Sequence, residues 1–194
     1  MRKKTLVASI LTVALGAAAG LAAYWRPMAD GLWPWRGAVA AGTALRADSH
    51  DGRGEVWERR PSAGKSSWGI RGSGIPESGS IWFDGFPGDS GVYLVELGAV
   101  LERDGDPAYK ISAAGRVLGQ GRYPYACGKL MCAASKRSCP DKAAHLNLGT
   151  HRIQHGERIE VWGRSRYPCG AHGAYARWFE VRFTRAPDGT GRGP

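Results

Sequence analysis

The sequence predicts an all-β fold, an antiparallel β-sandwich behind an N-terminal signal or anchor helix, and three observations carry that expectation. From 93 to 101 every odd position is apolar (Tyr93, Val95, Leu97, Ala99, Leu101), while Glu96, Gly98 and Glu102 take the other phase. Period two is the pattern of a half-buried strand. Glu-Arg-Asp-Gly-Asp-Pro and then Ala-Gly-Arg each interrupt the alternation with turn chemistry, so 91–119 reads as three strands joined by short turns. After the first two dozen residues there is neither a long segment of helical period nor one of the long crossovers that parallel strands need.

Taken in order, the 194 residues open on Met-Arg-Lys-Lys and stay uncharged from 5 to 23. A basic start, an apolar run and small residues near Ala19 and Ala22 describe a cleavable signal peptide. The same run, followed by Tyr24-Trp25-Arg26, also describes an uncleaved membrane anchor. Either reading of 1–23 exports the rest, to a secreted or periplasmic location or to the membrane surface. Residues 24–79 are rich in Gly, Ser, Pro and Arg with isolated Trp, and read as a linker holding one short strand at 55–59. The sandwich domain spans 80–185. Its first strand lies in Ser-Ile-Trp-Phe-Asp-Gly-Phe-Pro-Gly, and a long loop without periodicity follows Leu118. Strands resume at 145–153, where Gly149 marks a bulge. They continue at 158–163, with Ile159 and Val161 inward, and at 174–185, with Phe179, Val181 and Phe183 on one face and Trp178, Glu180 and Arg182 on the other. Residues 186–194 form a polar tail.

Charge and cysteine content narrow the classes of function. The formal net charge is +10, part of it in the leader, and the surplus Arg is scattered over strands and turns. Such a surface suits anionic polysaccharide, cell-wall polymer or headgroups, or simply keeps the protein soluble. No groove-reading motif is present, which argues against nucleic acid. Cys127, Cys132, Cys139 and Cys169 in an exported chain read as two disulfides, with three pairings open. Zinc, with His145 or His172, is the rival, but the spacings fit no common zinc motif.

Several stretches resemble one family. Gly-Val-Tyr-Leu-Val-Glu-Leu, Glu-Arg-Asp-Gly and Tyr-Lys-Ile-Ser-Ala-Ala-Gly, then Leu-Gly-Thr-His-Arg-Ile-Gln-His-Gly-Glu-Arg-Ile-Glu-Val and Ala-Arg-Trp-Phe-Glu-Val-Arg-Phe, are similar to strand and hairpin patterns of secreted carbohydrate-binding modules. The similarity covers about 80–184. It implies a jelly-roll sandwich, a polysaccharide partner and, as in related sandwiches, a structural calcium.

Candidate sites follow from the loops and strand phases. Tyr123, Tyr125 and Tyr167, beside Arg122, Arg166 and His172, lie in the cysteine-bearing loops. Tyr rings offer rigid faces for sugar stacking, and a basic neighbour favours an acidic sugar. Alternatively, Tyr123 and Tyr167 each stack on the proline that follows and stiffen the loop. Trp162 and Trp178, on the polar phase of their strands, form a second candidate platform, or else pack under neighbouring segments. Glu102, Asp104 and Asp106 bracket a turn and supply oxygens for calcium, although Asp-Gly-Asp is also what a tight turn requires. No Gly-x-Ser-x-Gly elbow or His-Glu-x-x-His motif is present, and no carboxylates are visibly paired as a glycosidase needs. The expected protein is therefore a binding module and not an enzyme. An envelope protein–protein interaction domain is the alternative, and a small glycoside hydrolase stands behind that.

Overall fold

In a computed structural model, residues 42–72, 75–135, 137–170 and 175–186 are described. They form eleven strands: β1 (Thr43–Arg46), β2 (Gly52–Arg53), β3 (Trp57–Arg59), β4 (Trp68–Ile70), β5 (Ser78–Phe83), β6 (Gly91–Leu101), β7 (Ala108–Ala113), β8 (Arg116–Arg122), β9 (Lys142–Ile153), β10 (Ile159–Arg164) and β11 (Trp178–Arg185). One sheet has the order β3-β4-β11-β6-β9, with β1 also on β11, and the other β2-β5-β10-β7-β8. All pairings are antiparallel. From β5 onward every strand except β8 lies in the sheet opposite its predecessor, which is the winding of a jelly roll.

The alternation that predicts β6 also explains its central place. Tyr93, Val95, Leu97 and Ala99 are buried on its inner phase, and β6 is bonded to β11 on one side and β9 on the other. Ile81, Phe83, Ile111, Ile159 and Val161 face them from the second sheet. Each such side chain contributes about 1.5–3 kcal/mol of burial. Phe86 closes one end against Phe183 and Tyr93, with ring centroids 4.8 and 5.2 Å apart. Gly149 sits at φ 92° where the β6–β9 register shifts, and its N–H donates to Asn147 Oδ1 at 2.7 Å. Ala114 and Gly115, both at positive φ, make the two-residue β7–β8 hairpin.

Several expectations need correction. The stretch read as linker is sandwich from Thr43 onward: β1 to β4 pair with the two sheets, and Trp57, Trp68 and Ile70 are in the core. Their strands have only two to four residues, too few to display a period, so large indoles supply the burial that length does not. Gly79 and Gly163, paired across β5 and β10, give Trp57 its room: a Cβ on Gly163 would stand 2.8 Å from the indole. Strand β8 runs on to Arg122, four residues past Leu118, and β9 begins at Lys142. Trp178 is not on the outer face. A register shift between Trp178 and Glu180 places an extra residue in β11, reversing the phase upstream, so Trp178 is 0 % exposed and packs against Phe83 and Trp57. The leader at 1–23, linker residues 24–41 and tail residues 187–194 lie outside the described residues.

Candidate functional site

The four cysteines form two disulfides, Cys127–Cys139 and Cys132–Cys169. The first closes a 12-residue loop, and the second ties that loop to the one after β10. Backbone bonds from Ala126 to Glu102 (3.0 Å) and from Met131 to Arg103 (2.8 Å), with Arg103 Nε donating to Ala134 O (2.8 Å), hold the first loop against the end of β6. The predicted tyrosines do not act as one surface. Tyr123 is 4 % exposed, packs edge-on to Tyr109 and donates its hydroxyl to Ala176 O at 3.3 Å. Burial, with Glu102 nearby, pushes its phenol far above the usual value, so it is a core residue without a face to offer. Tyr125 is half-buried in the loop. Tyr167 turns toward Tyr175 (6.3 Å between centroids) and donates to Arg71 O at 3.4 Å. His172 lies outside the described residues.

Nor do Glu102, Asp104 and Asp106 converge for calcium. Glu102 is 3 % exposed and accepts from Arg177 Nε and from the Tyr175 N–H (3.0 Å). Asp104 pairs with Arg103 at 3.3 Å, and Asp106 pairs with Arg122 and Arg166. Each carboxylate has gone to a guanidinium, and among the described residues no group of three or more metal-ligating side chains is placed to hold a metal. Arg177 also donates to Asp141 Oδ2 at 2.6 Å. Burial raises the Glu102 carboxyl despite that guanidinium. Burial would lower Arg177, but Glu102 and Asp141 outweigh it and hold its charge more firmly than usual. These residues line an open cleft of ≈ 530 Å³ with Arg60, Asp104 and Tyr175. Glu58, Glu102, Asp104 and Asp141 all line this cleft, and Arg177 stands between the two most covered of them, Glu102 and Asp141, donating to both. Neither can exchange a proton with a substrate without breaking a buried ion pair.

The outer face of the five-stranded sheet is different. Cross-strand register sets Ser80, Trp162, Lys110 and Gln120 in one row over β5, β10, β7 and β8. The next row toward the strand ends has Ser78, Arg164, Ala108 and Arg122, and the row on the other side has Trp82, Glu160 and Ser112. Trp162 is half-buried, with Lys110 Nζ 5.8 Å from its ring centroid. Trp82 sits diagonally from it, about 8 Å away by sheet geometry, lies across Gly52 and has Arg158 near its ring. Glu160 is fixed between them by Ser80 Oγ and Ser112 Oγ, the latter at 3.3 Å. A shallow cleft of ≈ 520 Å³ runs from Trp162 past Lys110 and Gln120 to Arg122. A second, of ≈ 380 Å³, shares Ala108 and Arg122 with it and continues to Arg164 and Arg166. Of the predicted residues, Trp162 and Arg166 thus meet on one continuous surface, while Tyr125 and Tyr167 line neither cleft.

Sequence reasoning missed Lys110, Gln120, Trp82 and Glu160 as parts of this face. Their outward phase was readable within each strand. Which strand lies beside which was not, and only register brings Lys110 under Trp162.

No protein-family model and no curated protein matches the sequence. Among solved structures, the chain is similar to the C-terminal CBM6 of LamC, a marine laminarinase from Zobellia galactanivorans (17 % identity, 74 % of this chain and 99 % of that chain, TM-score 0.46). It is also similar to the carbohydrate-binding module CBM6cm-2 of Cellvibrio mixtus lichenase 5A in complex with cellotriose (14 %, 75 % and 98 %, TM-score 0.47). A third is the insecticidal crystal protein Cry2Aa (10 %, 74 % and 21 %, TM-score 0.47). What a domain of this fold binds is set by its own side chains.

Proposed function

We propose that the domain is a non-catalytic carbohydrate-binding module that receives a polysaccharide along the outer face of its five-stranded sheet. The observation that carries this reading is the arrangement around Trp162. A partly open indole stands mid-sheet, with Trp82 diagonal to it and the polar groups of Lys110, Gln120 and Glu160 set alongside by register. A sugar ring presents an apolar C–H face that stacks on an indole, while its equatorial hydroxyls reach sideways to polar neighbours. Gln120 makes no side-chain hydrogen bond within the described residues, so its amide is free for a hydroxyl. The cleft is open along its length, which suits a chain rather than a buried monosaccharide. Export fits the same reading: two disulfides belong to an oxidising compartment, and the leader at 1–23 would deliver or tether the domain there.

Titration calorimetry of the exported chain against neutral and acidic oligosaccharides tests this. Saturable binding is expected, with Trp162→Ala weakening it by about 2 kcal/mol, roughly thirty-fold in Kd, and Tyr125→Ala leaving it unchanged. An absence of heat across the panel with folded protein would overturn the reading in favour of a protein partner.

A further inference from the structure

Arg122, Arg164 and Arg166 gather at one end of the sheet face, where the cleft's one lining carboxylate, Asp106, pairs with Arg122 and Arg166 and leaves Arg164 over. Arg122 and Arg164 are each the last residue of their strand, β8 and β10. Both strands are antiparallel to β7, so they end at the same edge, with Ala108 between the two arginines in register. Arg166, two residues further on, enters the same cleft, which Pro76 and Asp106 complete.

Arg166 Nη1 donates to Asp106 Oδ2 at 2.7 Å, and Arg122 Nη1 donates to that same oxygen. The carboxylate is largely covered (13 % exposed), whereas the two guanidinium side chains are 61 % and 52 % exposed. Arg164 is exposed and has no acidic partner among the described residues. Three arginines less one aspartate leave a charge of +2 in a cleft of ≈ 380 Å³. Like charges held this close oppose one another until an anion enters. Each guanidinium has five donors in a planar fork, and Asp106 can accept only a few, so most make no hydrogen bond among the described residues.

We infer that this cleft takes the carboxylate of an acidic polysaccharide, a uronate unit whose neighbouring sugars lie over Trp162. The inference rests on the carbohydrate-binding reading above and specifies its ligand. Arg164 supplies the bidentate contact, matching a carboxylate as a point-charge ammonium does not. Arg122 and Arg166 are aimed by Asp106 and contribute their remaining donors. The shared residues Ala108 and Arg122 make the anion cleft continuous with the stacking surface, so one chain can occupy both.

The experiment is calorimetry on the exported chain with hexamers of galacturonate and of mannuronate, cellohexaose and mannohexaose as neutral counterparts, and carrageenan oligomers as a sulfated, carboxylate-free arm. At least one uronate hexamer is expected to bind about tenfold or more tighter than the neutral sugars, with the advantage shrinking as salt rises. Arg164→Gln, on the surface and outside the core, removes that advantage but retains neutral-sugar binding. Trp162→Ala weakens both. Equal affinity for neutral and uronate chains, or a uronate preference that survives Arg164→Gln and an Arg122→Gln/Arg166→Gln pair, overturns the inference while leaving the carbohydrate reading intact. A preference for carrageenan alone overturns the carboxylate assignment. Binding of none of these probes overturns both readings.

Discussion

Replacing Arg177 by Met keeps much of the side chain's volume and removes the cation bonded to Glu102. In the native protein Arg177 is 9 % exposed and donates to both Glu102 and Asp141. After the change, Glu102 retains only the Tyr175 N–H at 3.0 Å and faces the charge of Asp141 without a guanidinium between. Breaking a buried pair by removing one partner costs about 3–5 kcal/mol, a large share of the roughly 5–15 kcal/mol that holds a domain folded. The cost must depend on pH. Burial already raises the Glu102 carboxyl against the pull of Arg177, and losing Arg177 raises it further above its unfolded value of about 4.3. A raised folded pKa contributes stability that is fully present below the unfolded pKa and is lost as pH rises through the folded one. The Arg177→Met penalty is therefore smallest near about pH 4 and grows toward neutrality. Urea denaturation of the wild type, Arg177→Met and Arg177→Met/Glu102→Gln between pH 4 and 8 measures it. The double variant should recover most of the loss and be flat in pH. A penalty below about 1 kcal/mol, a penalty that ignores pH, or a failure of Glu102→Gln to rescue would refute the reasoning.

Other predictions concern the staples, a surface carboxylate and the tryptophan floor. Cys132→Ser/Cys169→Ser opens a crosslink of 37 residues' separation and Cys127→Ser/Cys139→Ser one of 12; loop-closure entropy gives about 4 and about 3 kcal/mol, so the first pair should lower the urea midpoint more. The Glu180 carboxyl is lifted by burial, but bonds from His145 (2.8 Å) and Arg182 (2.6 Å) outweigh this and hold it below its usual value. Its stabilisation is thus complete above about pH 4.3 and is lost as pH falls through the lower folded pKa, so the wild type should lose its advantage over Glu180→Gln only in acid. Gly163→Ala puts a Cβ 2.8 Å from Trp57 and 3.2 Å from Ala176; overpacking of about 1–3 kcal/mol is expected in thermal melts.

The sandwich was legible because its central strand is long enough to show a period. Eleven residues of β6 alternate through Tyr93, Val95 and Leu97, and Gly149 announced its bulge. Strands β2 to β4, of two or three residues, show none; the short strand expected at 55–59 is found as β3, but its surroundings read as linker, so the place of Trp57 and Trp68 in the core was not legible. Trp178 was misplaced by one residue of extra chain: alternation read back from Phe183 is correct to Glu180 and inverted before it. At the turn after β6, three acidic residues close in sequence suggested one cation. In space each meets an arginine: Asp104 its neighbour Arg103, but Glu102 meets Arg177 from 75 positions away and Asp106 meets Arg166 from 60. Local spacing has no access to partners at that separation. The same holds for the sheet face, where Trp162 was recognisable alone but its neighbours Lys110 and Trp82 were not.

The most direct test of carbohydrate binding on the sheet face is a ¹H–¹⁵N titration that follows the tryptophan indole signals of the exported chain with whichever oligosaccharide calorimetry selects. Trp162 and Trp82 should shift progressively and saturably, while the buried Trp57 and Trp178 stay in place. Shifts confined to the cysteine-bearing loops around Tyr125 and Tyr167, with Trp162 unmoved, would contradict the account.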